Sequence, residues 1–321
     1  MIKGSDFKPA WWLPGAHAQT IWPGIIKRKY SIKLEWERLE LPDQDFMDLV
    51  WTPVTDGPIV IVLHGLEGSI NSHYAKGIMS AIYNNGWTAV LMHFRGCSGT
   101  HNRLARGYHS GETGDLRYVI NLLKTRYPKR QLAATGYSLG GNVLLKYLGE
   151  YGNDSGLVAA TAISVPFELS KAADRLMQGC SRIYQHYLLR HIQKRIMEKF
   201  SNRQDAPFRI TDIPKWNNFH LFDNFVTAPL HGFANSAEYY ALSSSKPWLK
   251  SINTPTLIIH AENDPFLTRD AIPIGSELSE NTTLELSRHG GHAGFVSGNL
   301  PWHPHYWLEE RIPNFLSNHL N

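Results

Sequence analysis

Gln131-Leu-Ala-Ala-Thr-Gly136-Tyr137-Ser138-Leu139-Gly140-Gly141-Asn142-Val143-Leu144-Leu145 is the stretch on which the fold turns. Residues 131–137 form a short apolar run of the kind that makes a strand buried on both faces. Residues 139–149 follow at once with apolar residues at helical spacing. The two meet at Ser138, with a glycine two residues before it and another two after. Small residues at those positions let the backbone close tightly around the serine. Its side chain is then pushed out at a helix N-terminus, where the peptide dipoles favour developing negative charge. G-x-S-x-G between a strand and a helix is the context in which a serine serves as a nucleophile.

The same rhythm extends outward. Segments 32–41 and 45–52, separated by Pro42-Asp43, read as a hairpin-like pair. Residues 58–64 and 87–94 read as buried strands, and 157–165, 256–260 and 283–286 as further ones. Helical spacing over 72–85 (Ala75, Ile78, Met79, Ile82) stops at Gly86, and 112–126 gives a helix ending before Pro128. Strands alternating with helices across short connections predict a mostly parallel central sheet covered by helices on both faces. The alternation breaks between Pro166 and Trp248. Residues 166–248 are therefore expected to form an inserted helical cap over the carboxyl ends of the strands, with 1–165 and 249–321 as the catalytic domain.

Serine needs a general base, itself held by a carboxylate, and on such a sheet the chain order is serine, acid, histidine. Asp264, just after the strand 256–260, is the preferred acid, with Glu262 as its rival. His292, in Arg288-His-Gly-Gly-His-Ala-Gly-Phe295, is the preferred base, with His289 as its rival. Gly290 and Gly291 let that loop turn inward. Acyl transfer also requires fixed N–H donors for the oxyanion. The N–H of Leu139 and that of Leu66, in His64-Gly-Leu-Glu-Gly68, are the candidates, and His64 reads as a buried brace for its loop.

Composition narrows the remaining classes. A net charge of +4 with no long Lys/Arg block argues against nucleic acid as a partner. The chain shows no secretory leader and no membrane-spanning apolar run, so a cytoplasmic location is expected. Cys97 and Cys180 cannot make a disulfide framework and read as buried or half-buried thiols. His303 and His305, and His186 with His191, lack zinc-helix spacing and accompanying carboxylates, so neither a metal nor a cofactor is expected. Arg95 and Asp115 read as structural, and Trp11, Trp12 and Trp22 as packing residues, against the cap if it reaches them.

His-Gly-Leu-Glu-Gly at 64–68, Phe-Arg-Gly-Cys-Ser-Gly at 94–99, Tyr-His-Ser-Gly-Glu-Thr at 108–113, Gly-Tyr-Ser-Leu-Gly-Gly-Asn at 136–142 and Gly-Gly-His at 290–292 together resemble the YheT-like family of α/β hydrolases. His17-Ala-Gln-Thr20 is similar to that family's lead-in segment. The resemblance implies an α/β-hydrolase fold, a triad at Ser138, Asp264 and His292, and carboxylesterase or lipase-like activity on a small acyl ester, lipids included. An acyltransferase on the same scaffold and a non-catalytic module that keeps the fold are the alternatives.

Within the cap, Lys171, Arg175, Arg182, Arg190, Lys194, Arg195, Lys199 and Arg203 face only Asp174 and Glu198, while Leu188, Ile192, Ile196 and Phe200 fall at i, i+4 steps. The stripe either packs down with the cations solvated, or borders an acyl tunnel while the basic face makes weak peripheral contact with anionic lipid. Oligomeric state is not legible in the sequence.

Overall fold

Aliphatic and β-branched runs build the centre of the sheet. A computed structural model describes residues 1–26 and 28–320. In it β4 (Ile59–Leu63) and β6 (Leu132–Tyr137), buried along their whole length, pair in parallel. Ahead of them come β1 (Ile2–Gly4), α1 (Gly15–Ile25) and the antiparallel pair β2 (Glu35–Glu40) and β3 (Phe46–Trp51). The remaining strands of the sheet are β5 (Thr88–Met92), β7 (Ala159–Ile163), β8 (Thr256–Ala261) and β9 (Thr282–Ser287). The nine run in the order β1-β9-β8-β7-β6-β4-β5-β3-β2, with only the β3 pairings antiparallel. A mostly parallel sheet needs apolar cover on both faces. α2 (Ala75–Asn84) and α10 (Leu308–Leu316) supply it on one face through Ile78, Ile82 and Ile312. α3 (Gly114–Arg126) and α4 (Leu139–Tyr151) supply it on the other through Leu116, Val119, Leu144 and Leu148.

Between β7 and β8 the chain departs into helices: α5 (Leu169–Leu176), α6 (Ser181–Phe200), α7 (Phe219–Phe222), a π-helical turn at Asp223–Thr227, α8 (Ala228–Leu230) and α9 (Ser236–Ser243). Their apolar faces make a cluster of their own, with Leu189, Ile192, Ile196 and Phe200 of α6 at its heart and Leu66 and Phe266 packed against it.

Several elements escaped the sequence reading: β1, the hairpin of β10 (Val296–Leu300) and β11 (His303–Tyr306), and α10. The strands among them are short and mostly exposed, so they carry no continuous buried apolar run that would show in the sequence. The N-terminal tryptophans pack on this hairpin instead of reaching the inserted helices. Trp11 and Trp12 donate to the Asn299 and Gly298 carbonyls at 3.0 Å each, and Trp22 meets Trp12 edge-on. Cys97 is half-buried as expected but Cys180 is exposed, and both are free thiols. Burial pushes the Cys97 thiol up to about 12.

The apolar stripe packs down as expected and Arg182, Arg190 and Lys194 stay exposed, but part of the basic face turns inward. Arg195 pairs with Glu67, and the buried Lys199 ammonium donates to Asn102 and to the Ala105 and Arg106 carbonyls. Lys171, Lys194 and Arg203 also have carboxylate partners. Among the described residues no helix is long and apolar enough to cross a membrane.

Arg95 is a structural hub. Its guanidinium forks onto Asp115 at 2.7 Å twice and reaches Asp43 at 2.6 Å and Asp45 at 3.1 Å, with Arg95, Asp45 and Asp115 all buried. Removing the cation strands buried carboxylates, and breaking such a pair costs about 3–5 kcal/mol. Arg95→Ala is thus expected to lose about that much stability in urea denaturation. A loss below about 1 kcal/mol would mean that water replaces the guanidinium.

Candidate active site

The turn at Ser138 is built by exclusion. Ser138 adopts φ +51°, ψ −117°, a region that costs a non-glycine residue about 1–3 kcal/mol. A Cβ at Gly136 would lie 2.5 Å from the Gly140 carbonyl oxygen, and one at Gly140 would lie 2.5 Å from that of His64. Only glycine at both positions lets the strand, the turn and α4 pack this closely. The Ser138 N–H is tied to the Ile163 carbonyl of β7 at 2.8 Å, which holds the turn against the sheet.

Past β8 and β9, two loops meet. Asp264, buried after β8, accepts at Oδ1 from the Phe266 N–H (2.8 Å), and its Oδ2 lies 2.8 Å from His292 Nδ1. The His292 ring stacks on Phe266 at 4.0 Å with the planes nearly parallel. The His292 backbone N–H donates to Thr20 Oγ1 at 2.9 Å, and the neighbouring Ala293 N–H to Ser164 Oγ at 2.9 Å. Gln19, fully buried, bonds both the N–H and the carbonyl of Val296. Gln19 and Thr20 thus bracket the His292 loop. In the sequence these residues stand out only through the resemblance, because a brace across more than 270 positions leaves no local pattern.

The loop 64–68 abuts this turn: a Cβ on Gly65 would come within 3.3 Å of Ser138 Cβ. His64 is the expected brace. It is fully buried, accepts from the Phe94 N–H at Nε2 (3.1 Å), and therefore presents Nδ1–H to the Gly65 carbonyl at 2.7 Å. Burial lowers its pKa to about 3, so it stays neutral. Within the loop the Gly65 N–H donates to the Tyr74 hydroxyl (2.7 Å), the Glu67 N–H to the Tyr108 hydroxyl (2.9 Å), and the Gly68 N–H to the Gly65 carbonyl (3.0 Å). The Leu66 N–H has no partner among the described residues. Leu139 is the first residue of α4, so its N–H has no carbonyl inside the helix to bond.

Ser138, Leu139, Leu66 and His292 line one cavity of about 1200 Å³. The inserted helices supply apolar wall to it, including Leu176, Leu188, Ile192, Ile196, Phe222 and Val226. Neither the Ser138 hydroxyl nor His292 Nε2 is hydrogen-bonded among the described residues. Such contacts commonly tighten only when substrate is bound. The rivals lie elsewhere: Glu262 and His289 line a separate cavity beside β1, with His289 exposed. Among the described residues no group of three or more His, Cys, Asp or Glu is gathered as a metal-binding set.

A strained serine at a strand-to-helix turn, on a parallel sheet with a carboxylate–histidine pair beyond its later strands, defines an α/β hydrolase. The family model for the alpha/beta hydrolase fold matches residues 58–299. The chain is 40% identical to YheT of Escherichia coli (strain K12), described as a "putative esterase", covering 98% of this chain and 94% of that protein. It is 32% identical to the monoacylglycerol lipase of Saccharomyces cerevisiae (93% of this chain, 65% of that one). It is 26% identical to phospholipase ABHD3 of Homo sapiens (92% and 74%). Among solved structures, the Pyrococcus furiosus esterase Pf2001 superposes with a TM-score of 0.60 at 16% identity, covering 92% of this chain and 98% of that one, a likeness of fold. The chain belongs to the YheT-like α/β hydrolases.

Proposed function

We propose that this protein hydrolyses carboxylic esters through an acyl-enzyme formed on Ser138, with His292 as general base and Asp264 as the acid that orients it. The observation that carries the reading is the Asp264–His292 pair at 2.8 Å, with His292 opening onto the cavity that Ser138 also lines. In the first step His292 Nε2 takes the Ser138 proton as Oγ attacks the ester carbonyl, and the oxyanion accepts from the N–H groups of Leu66 and Leu139. Collapse expels the alcohol with that proton. Water activated by the same imidazole then releases the acid and restores the serine.

Residues 166–248 act in this reading as a cap that walls the acyl-binding cavity. The apolar side chains of α6 and α7 in that wall favour an aliphatic acyl chain, in keeping with the lipase and phospholipase names of two relatives. Each buried methylene contributes about 0.8 kcal/mol, roughly fourfold in binding. Across p-nitrophenyl esters from acetate to dodecanoate, kcat/KM is expected to climb by at least tenfold before levelling, and Ile192→Trp to move the optimum to shorter chains. A flat profile would remove the acyl-chain role from this wall, and no turnover of any ester would remove the hydrolase reading itself.

A further inference from the structure

α6 does more than wall the cavity, because one of its side chains grips the loop that carries Leu66. Arg195 donates from Nε to Glu67 Oε2 at 2.8 Å and lies 2.7 Å from Oε1 through its other edge, the two side chains being 17% and 11% exposed. Burial opposes the Arg195 charge, but the Glu67 carboxylate overrides it and raises the pKa above the ordinary value. Tyr108 closes the arrangement: its hydroxyl donates to Glu67 Oε1 at 2.8 Å while accepting from the Glu67 N–H. Gly96 leaves room for the guanidinium, since a Cβ there would come within 3.2 Å of Arg195 Nη1. Glu67 itself sits at φ +53°, a conformation L-residues adopt only when their surroundings impose it.

We propose that Arg195 is a positioning residue for ester hydrolysis: by clamping Glu67 it fixes the strained backbone that aims the adjacent Leu66 N–H at the oxyanion. The inference rests on the oxyanion role given to Leu66 above. A bidentate guanidinium restrains both direction and distance of the carboxylate, which a lysine ammonium does not. Without the clamp the Glu67 backbone can leave its left-handed conformation, and the neighbouring peptide rotates with it. The ground-state ester gains little from that N–H, whereas the developing oxyanion gains much, so the loss belongs in kcat. The insertion helix thereby becomes part of the apparatus that reads the transition state.

A double-mutant cycle separates positioning from the cost of a stranded buried charge. Arg195→Met, Glu67→Gln and the double variant are assayed for kcat, KM and Tm, with the wild type and Ser138→Ala treated with a fluorophosphonate in parallel. Arg195→Met should lower kcat by about 10- to 100-fold, a fraction of the 10²–10³ that a whole oxyanion donor supplies. KM should stay within about threefold. The double variant has no unpaired charge, so its Tm should recover towards wild type while its kcat stays low; Arg195→Lys should recover only part of kcat. Recovery of kcat together with Tm in the double variant, or a loss confined to KM, overturns the proposal. Should Arg195→Met fail to fold, the double variant and Arg195→Lys decide by the same criterion. Wild type that takes no fluorophosphonate at Ser138 defeats the hydrolase reading instead, whereas labelled wild type with an undiminished Arg195→Lys and double variant defeats this inference alone.

Discussion

Ser138→Ala is expected to lower ester turnover by about four to six orders of magnitude while the protein stays folded. In the proposed mechanism the Ser138 hydroxyl oxygen forms and breaks the acyl bond. The Ser138 hydroxyl makes no hydrogen bond among the described residues, so its removal leaves no buried partner unsatisfied. Alanine carries the same Cβ as serine and meets the φ of +51° under the same steric limits. Activity should therefore collapse with little change in Tm, measured by circular dichroism beside a steady-state assay. Turnover within tenfold of wild type, in a variant that melts normally, would transfer the chemistry to another residue.

The second large effect lies in the pair behind the serine. Asp264→Asn should cost about 10⁴ in kcat, because the amide can donate to Nδ1 and so favour the tautomer that leaves no acceptor at Nε2 for the serine proton. His292→Ala should cost as much or more. Glu262→Gln and His289→Ala should each change kcat by less than about tenfold, since both residues line the other cavity beside β1. Measuring all four at one saturating ester concentration and one pH gives the contrast directly. An essential Glu262 or His289 with a dispensable Asp264 or His292 would reverse the assignment.

How far these residues were legible in the sequence depends on the range of the forces that place them. The Ser138 turn is visible as text because its two glycines flank the serine at fixed spacing, although only Gly136 is forced by nearby backbone (Gly140 and Gly141), Gly140 being forced by the distant His64 loop. The strands β4, β5, β6 and β8 were equally plain, being apolar runs buried throughout. Chain order and the Gly290-Gly291 pair favour Asp264 and His292 in the sequence, but Glu262 and His289 stand close enough to remain rivals there. Their separation comes from where β8 and β9 end and which cavity each side chain lines. The brackets supplied by Gln19, Thr20 and Ser164, and the grip of Arg195 on Glu67, are long-range contacts between elements, each bonded across more than 120 positions. Arg195 in particular read as one more cation on a basic helix face. Only the docking of α6 over the 64–68 loop turns it inward.

Ser138 as the site of the covalent intermediate is tested most directly by peptide mapping by mass spectrometry after reaction with a fluorophosphonate. One adduct per chain is expected, carried on the peptide that contains Ser138, with none formed by the folded Ser138→Ala variant. An adduct on a different residue, or a folded wild-type protein that stays unmodified while hydrolysing esters, would contradict it.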